Sequence, residues 1–271
     1  MLSAIALLCP CAALFRTAQG RSVDCNAQTL TCATAYNCRV TDNSPKSGPT
    51  LDEAIALSRW ARGLAPDELA RARQGMGEKR VAAGGFICRT GEVPTCWMGV
   101  IDGLVKMSSD WVTGKTASYA GIPTGGWFGE GSLLKPEPRR YDVIALRATR
   151  VACMKRETFH WLLDHSIAFN HAIIEQINER LGQFIGLLES QRLHDTDTRV
   201  ARSLSVMFNP VLYPGQNVSI TISQEEIGHL AGVSRQRANR SLKVLEDAGF
   251  LHIEYGGITI LDLDGLRRFG G

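Results

Sequence analysis

The chain has 271 residues, 44% hydrophobic and 21% charged, an ordinary globular composition with room for more than one core. A formal net charge of +3 neither demands nor excludes a polyanionic partner, so such a partner must be read from local clustering. The eight cysteines include no Cys-x-x-Cys pair, which removes the usual zinc and thioredoxin spacings, and no apolar run reaches the roughly 18 residues of a membrane span.

Residues 1–50 mix Thr, Ser, Asn, Cys and Gly without a sustained period and read as a disordered extension. Their apolar stretch, Ile5 to Phe15, has no Lys or Arg before it, which makes a signal peptide the weaker reading. Everything after residue 55 reads as cytoplasmic. Leu51, Ile55, Leu57, Leu64 and Leu69 have helical spacing, broken by Gly63 and Pro66, and predict two short helices. From Lys79 to Met154, short β-rich runs alternate with glycine turns. They are Phe86–Cys88, Trp97–Ile101, Leu104–Met107, Ala117–Tyr119 and Val143–Leu146. Asp102-Gly103, between two of these runs, predicts a hairpin, and the spacing argues for a small barrel, roll or sandwich.

A short helix is expected over Arg156–Asp164 and a long one over Ile167–Gln191. Ile174, Ile177, Leu181, Phe184 and Leu188 step by 3, 4, 3 and 4, which is the a/d seam of a coiled coil. The stripe could pack on its own domain. Its place between two folded segments favours contact with a second copy, giving a homodimer. A helix over Thr198–Phe208 and a loop with Pro210, Pro214 and Gly215 follow.

The run Ile222–Leu251 carries the clearest chemistry. Ser223 predicts an N-cap and Glu226 completes a capping box; Gly232 ends the first helix; Ser234 caps a second. Ile227 and Leu230 face inward on the first helix, and Ala238, Leu242 and Leu245 on the second. Two helices across a glycine turn make a helix-turn-helix. The outer face of the second helix holds Arg235, Gln236, Asn239 and Arg240, with Arg237 and Lys243 nearby. Arg pairs bidentately with guanine and Gln or Asn with adenine in the major groove, so this face suits double-stranded DNA. A solvated basic helix face is the bland alternative. His252–Tyr255, Gly256-Gly257 and Ile258–Leu261 then predict a wing hairpin, and Asp262–Arg268 a last helix.

Ile222-Ser-Gln-Glu-Glu-Ile-Gly, Gly232-Val-Ser-Arg-Gln and Leu242-Lys-Val-Leu-Glu together resemble the DNA-binding domain of the Crp/Fnr superfamily of transcription regulators. The resemblance implies that Arg235, Gln236 and Arg240 read base edges and Ser234 contacts the backbone. It extends upstream to about residue 60, where Phe128–Leu134 through Arg140 resembles a phosphate-binding cassette. By that resemblance Glu130 would hold a ribose hydroxyl, an arginine (Arg139 or Arg140) would meet a cyclic phosphate, and the backbone of Gly129–Ser132 would cradle it. Tyr141 stands where cyclic-AMP binders carry Ser or Thr, and Phe184 and Ile185 replace the polar pair that reaches the adenine. The effector therefore stays open between a cyclic nucleotide, another small molecule, and a pocket kept only as structure with Glu130 and Arg140 in internal salt links. An iron–sulfur cluster on Cys25, Cys32 and Cys38 does not fit the family's tighter spacing.

The reading is an α+β protein: a disordered extension (1–50), a β-roll sensor (51–165), a dimerisation helix (166–193) and a winged helix-turn-helix (194–271). The resemblance implies a dimeric, effector-gated transcription regulator, with RNA polymerase as a further partner and no membrane contact. A cyclic-nucleotide-binding adaptor without DNA readout is the alternative. An enzyme is not indicated, since no nucleophile–base pair, metal cluster or P-loop is visible.

Overall fold

The computed structural model describes residues 48–110, 116–135, 137–193 and 195–270. Nearly all of the expected extension with its five cysteines lies outside the described residues, as does Gly114-Lys115, one of the glycine turns expected between the β-rich runs. Among the described residues no helix is long and apolar enough to cross a membrane.

Three helices come first among the described residues where two were expected: α1 (Leu51–Leu57), α2 (Arg59–Arg62) and α3 (Pro66–Gln74). The extra break falls at Ser58, whose extended backbone ends α1, while Thr50 and Glu53 cap α1 reciprocally. Eight strands follow: β1 (Met76–Val81), β2 (Phe86–Cys88), β3 (Cys96–Asp102), β4 (Leu104–Asp110), β5 (Thr116–Pro123), β6 (Trp127–Phe128), β7 (Asp142–Ala145) and β8 (Thr149–Lys155). The short helix α4 (Glu130–Leu134) lies between β6 and β7. The strands form two four-stranded sheets, ordered β1-β8-β3-β6 and β2-β7-β4-β5.

The expected Asp102-Gly103 hairpin is not formed. β3 pairs with β6 and β8, whereas β4 pairs with β5 and β7, so the dipeptide turns a corner between sheets. Gly103 has φ +133°, and a Cβ there would lie 2.4 Å from Thr149 Oγ1. The apolar runs on either side are nearly continuous because both faces are buried, and that pattern does not distinguish a hairpin from a sheet crossing.

The chain continues with α5 (Arg156–His165), the 27-residue α6 (Ile167–Leu193), and α7 (Thr196–Ser205) with a 3₁₀ turn (Val206–Phe208). The last part contains β9 (Ser219–Thr221), α8 (Gln224–Ala231), α9 (Arg235–Asp247), β10 (Leu251–Glu254), β11 (Gly257–Ile260) and α10 (Leu263–Arg268). β10, β11 and β9 make a three-stranded sheet, so the wing has one strand more than the expected hairpin.

Rings fix α2, α5 and α6 to the first sheet. Trp60, Trp97, Trp127, Phe159 and Phe169 are all buried, with neighbouring centroids 4.5 to 6.0 Å apart. Such pairs add to the burial of their large apolar areas. Trp127 Nε1 donates to Ser58 Oγ at 2.7 Å, which ties the α1–α2 junction to the roll. Gly99 leaves room for the Trp127 indole, since a Cβ there would lie 2.6 Å from the ring. Gly99→Ala is therefore expected to destabilise the protein by about 1–3 kcal/mol through overpacking, read as a lower urea midpoint with an unchanged slope.

Candidate DNA interface and effector pocket

The helix-turn-helix is built as its residues dictate. Ser223 Oγ accepts the Glu226 amide at 3.1 Å and starts α8, and Gly232 ends it at φ +65°. Gly228 allows the turn to come close, because a Cβ there would lie 2.9 Å from Val233 O. Ser234 Oγ accepts the Arg237 amide at 3.4 Å and starts α9. Ile227, Leu230, Ala238, Leu242 and Leu245 are buried in one core with Val200, Leu204 and Leu266. That core fixes which face of α9 looks outward.

The outward face holds Arg235, Gln236, Arg237, Arg240 and Lys243, all exposed, with Asn239 half-buried. Among the described residues these cations have no carboxylate partner (the ion pairs of this part involve Lys106, His229, His252 and Arg267). Their charge is therefore available to phosphate and base edges.

The expected capping box at Ser223 is half made. The Glu226 carboxylate turns away from its own helix and takes Lys106 Nζ of β4 at 3.2 Å. The Lys106 side chain is only 12% exposed, so it competes well for the carboxylate. Two further contacts escaped the sequence. Arg199 Nη2 donates to the Ala231 and Gly232 carbonyls, both at 2.9 Å, and so closes the end of α8. Ser241 Oγ donates to Asp197 Oδ1 at 2.6 Å, joining α9 to α7. No local pattern announces either pair.

The second site lies between the roll and α6. A cavity of about 410 Å³ is bounded by Glu130, Gly131, Lys135 and Tyr141 from the cassette and by Ile177, Arg180, Leu181 and Phe184 from α6. A neighbouring recess of about 220 Å³ shares Gly131, Lys135 and Tyr141 and adds Ser132, Glu137 and Arg140. Gly129 starts α4 at φ +90°, a conformation that favours glycine.

Glu130 and Arg140 each form an ion pair, but not with one another. Glu130 is buried and faces Arg180, with Nε 3.4 Å from Oε1. Arg140 is exposed and pairs with Glu137. Arg139 is buried, gives Nη2 to Cys96 O at 3.1 Å and packs under Gly129. Ile185, expected beside Phe184, is 58% exposed and does not line the cavity. Adjacent helical residues point about 100° apart, so only one of the two can face the roll. Arg180 itself was missed, because its partner lies fifty positions away in sequence.

Burial is the largest influence on Arg180 and opposes its charge, but Glu130 together with Tyr213 and Tyr141 outweighs it and holds the guanidinium in its charged form. The Tyr141 phenol is pushed up to about 12 by burial and by Glu130, so it remains a donor at neutral pH. Glu130 Oε2 and Arg180 Nε are buried without hydrogen-bond partners, leaving an acceptor and a donor unspent near the cavity.

A roll with a half-polar pocket, a long helix and a basic winged helix-turn-helix define a DNA-binding regulator whose reader is coupled to an effector site. Residues 78–166 match the cyclic nucleotide-binding domain family and residues 198–269 the Crp-like helix-turn-helix domain family. The chain belongs to the Crp/Fnr superfamily of transcription regulators. It is 23% identical over 222 residues to the CRP-like cAMP-activated global transcriptional regulator of Mycobacterium tuberculosis, covering 80% of this chain and 99% of that one. It is 25% identical over 198 residues to the cyclic AMP receptor protein of Thermus thermophilus, covering 73% and 90%. The fold is shared with FixK2 from Bradyrhizobium japonicum at TM-score 0.60 and 18% identity, over 70% of this chain and 95% of that one.

Ser234→Ala removes the cap of α9 without touching the buried face. It is expected to cost about 1 kcal/mol, seen as a lower midpoint in thermal unfolding.

Proposed function

We propose that the protein acts as a homodimer whose two α9 helices read a pseudo-palindromic DNA site, with half-sites about one helical turn apart. The observation that carries this reading is the outer stripe of α6. Ile174, Ile177, Leu181 and Leu188 are 63%, 39%, 56% and 50% exposed, while Phe169 and Ile173 are buried against the roll. Large apolar side chains repeating at this spacing on an open face suit a second copy of the same helix. Arg235, Gln236 and Arg240 would contact base edges, Arg237 and Asn239 would assist, and Ser234 would meet the phosphate backbone.

The same stripe borders the effector cavity. Ile177 and Leu181 belong to both, and Phe184 lies on the cavity side. An effector would thus touch residues that also pack the dimer, and its binding energy would bias how the two α6 helices meet. The cavity suits a small molecule with a hydroxyl for Glu130, an anionic group for the Lys135–Arg140 recess, and an apolar ring against Phe184 and Leu181. Cyclic nucleotides combine all three features, and the two relatives named above are cAMP-responsive by name. Phe184 offers a base edge no hydrogen bond, so base selectivity is expected to be weak.

Sedimentation at micromolar concentration is expected to give a dimer, and a monomer alone would overturn the seam. The test of the whole reading is selection from a random duplex library at fixed salt, with and without cyclic AMP or cyclic GMP. Enrichment of a palindrome that strengthens with nucleotide is the expected result; no enrichment in any condition would refute autonomous DNA reading. On the selected site Arg235→Ala should cost about 1–3 kcal/mol and relax preference at one base position, whereas equal loss on every sequence would assign Arg235 to phosphate only.

A further inference from the structure

Three of the thiols lie on the roll, close to the cassette but outside the effector cavity. Cys88 is buried, and Cys96 and Cys153 are partly exposed. In the β3–β8 register Cys153 stands opposite Met98, and Cys96 opposite Lys155. Cys96 and Cys153 are therefore diagonal neighbours on one face of the sheet. Lys79 of β1 stands opposite Val151, which places it diagonal to Cys153 on the other side. The Arg139 guanidinium is bound to the carbonyl of Cys96 itself, and its Nη1 is buried without a hydrogen-bond partner. Two thiols thus share one sheet face with two cations beside them.

We propose that Cys96 and Cys153 form a hydroperoxide-reactive thiol pair, with Cys96 as the attacking thiolate and Cys153 as the resolving thiol. The Cys96 thiol is lowered to about 6, first by its hydrogen bond to Cys153 and then, against its burial, with help from Arg139 and Lys79. That shift raises its share of thiolate, the form that attacks peroxide. Cys153 is shifted upward, first by the same hydrogen bond and then by burial, and it gives up its proton only once Cys96 is oxidised and that bond to a thiolate is gone. Burial pushes the Cys88 thiol up to about 11 and keeps it away from peroxide in solvent.

The Cys96 sulfur attacks one peroxide oxygen and the O–O bond breaks. The departing alkoxide or hydroxide takes a proton from solvent. Sulfur is oxidised to the sulfenic acid, and the peroxide is reduced to an alcohol or water. The Cys153 sulfur then attacks the Cys96 sulfur, the S–O bond breaks, and hydroxide leaves as water with the Cys153 proton. Two thiols and one hydroperoxide give one disulfide, one alcohol or water, and one further water.

Diagonal partners normally sit about 7–8 Å apart at Cα, beyond the roughly 4.4–6.8 Å of a disulfide. β3 and β8 are already paired at sheet spacing, so closing the bond shears β3 along β8 and carries the Cys96 carbonyl with it. That carbonyl holds Arg139, whose Nη1 would lie 2.7 Å from a Cβ on Gly129 at the start of the cassette. Oxidation would in this way reach the residue from which α4 starts.

The test uses the full chain, reduced and then treated with hydrogen peroxide. Remaining thiols are alkylated and the peptides mapped by mass spectrometry. A Cys96–Cys153 cross-link with Cys88 still alkylated is expected, and Cys153→Ser should leave a sulfenic acid at Cys96 that a cyclic dione traps. In the untreated protein, alkylation of Cys96 should rise with a midpoint near pH 6. A midpoint near the ordinary thiol value of about 8.5, recovery of Cys96 as a free thiol, or its conversion to a sulfinic acid without cross-link would each overturn the proposal. The alkylation profile needs no substitution, so it stands even if Cys153→Ser fails to fold.

Discussion

Arg180 sets the position of the long helix on the roll. It leaves α6 in the middle of its length, gives Nη2 to the Trp127 carbonyl at 2.6 Å, and faces Glu130 across 3.4 Å. A buried guanidinium without such partners would cost several kcal/mol, so the pair admits only one rotational setting of α6. That setting turns Phe169 and Ile173 into the aromatic core and leaves Ile174, Ile177 and Leu181 on the open side. The proposed effector cavity and the proposed dimer seam are thus two sides of one constraint.

The reader is joined to the sensor by a second set of contacts. Lys106 of β4 reaches Glu226 of α8, and Leu104 at the start of β4 belongs to the same core as Leu204, Leu230 and Leu242. A partly buried ion pair contributes little net stability, because desolvation offsets most of the attraction, but it penalises any arrangement that separates the partners. The pair therefore fixes orientation more than it adds strength.

The helix-turn-helix was legible in the sequence because its determinants are local. The caps at Ser223 and Ser234, the turn at Gly232 and the buried triplet Ala238, Leu242, Leu245 all lie within a few residues of their partners. The sheets were less legible. β1, with the sequence Met-Gly-Glu-Lys-Arg-Val, is an exposed edge strand with no apolar alternation. β8 sends Val151 into one core and Ala152 and Met154 into another, which erases the period of two. Glu130 could be singled out from the cassette, whereas its partner Arg180 could not, and the reach from Lys106 to Glu226 spans 120 positions. Contacts of that kind follow from topology, which short-range patterns do not encode.

Gly121 gives the sensor–reader contact an unusual texture. A Cβ there would lie 2.7 Å from Met207 Sδ and 3.3 Å from a Leu230 methyl, so β5 meets the reader with bare backbone. Surfaces that interdigitate hold one register, and displacement costs them whole side-chain contacts. Here the missing Cβ makes a socket for the thioether, so a side chain at 121 would have to push Met207 aside and lift the reader off β5.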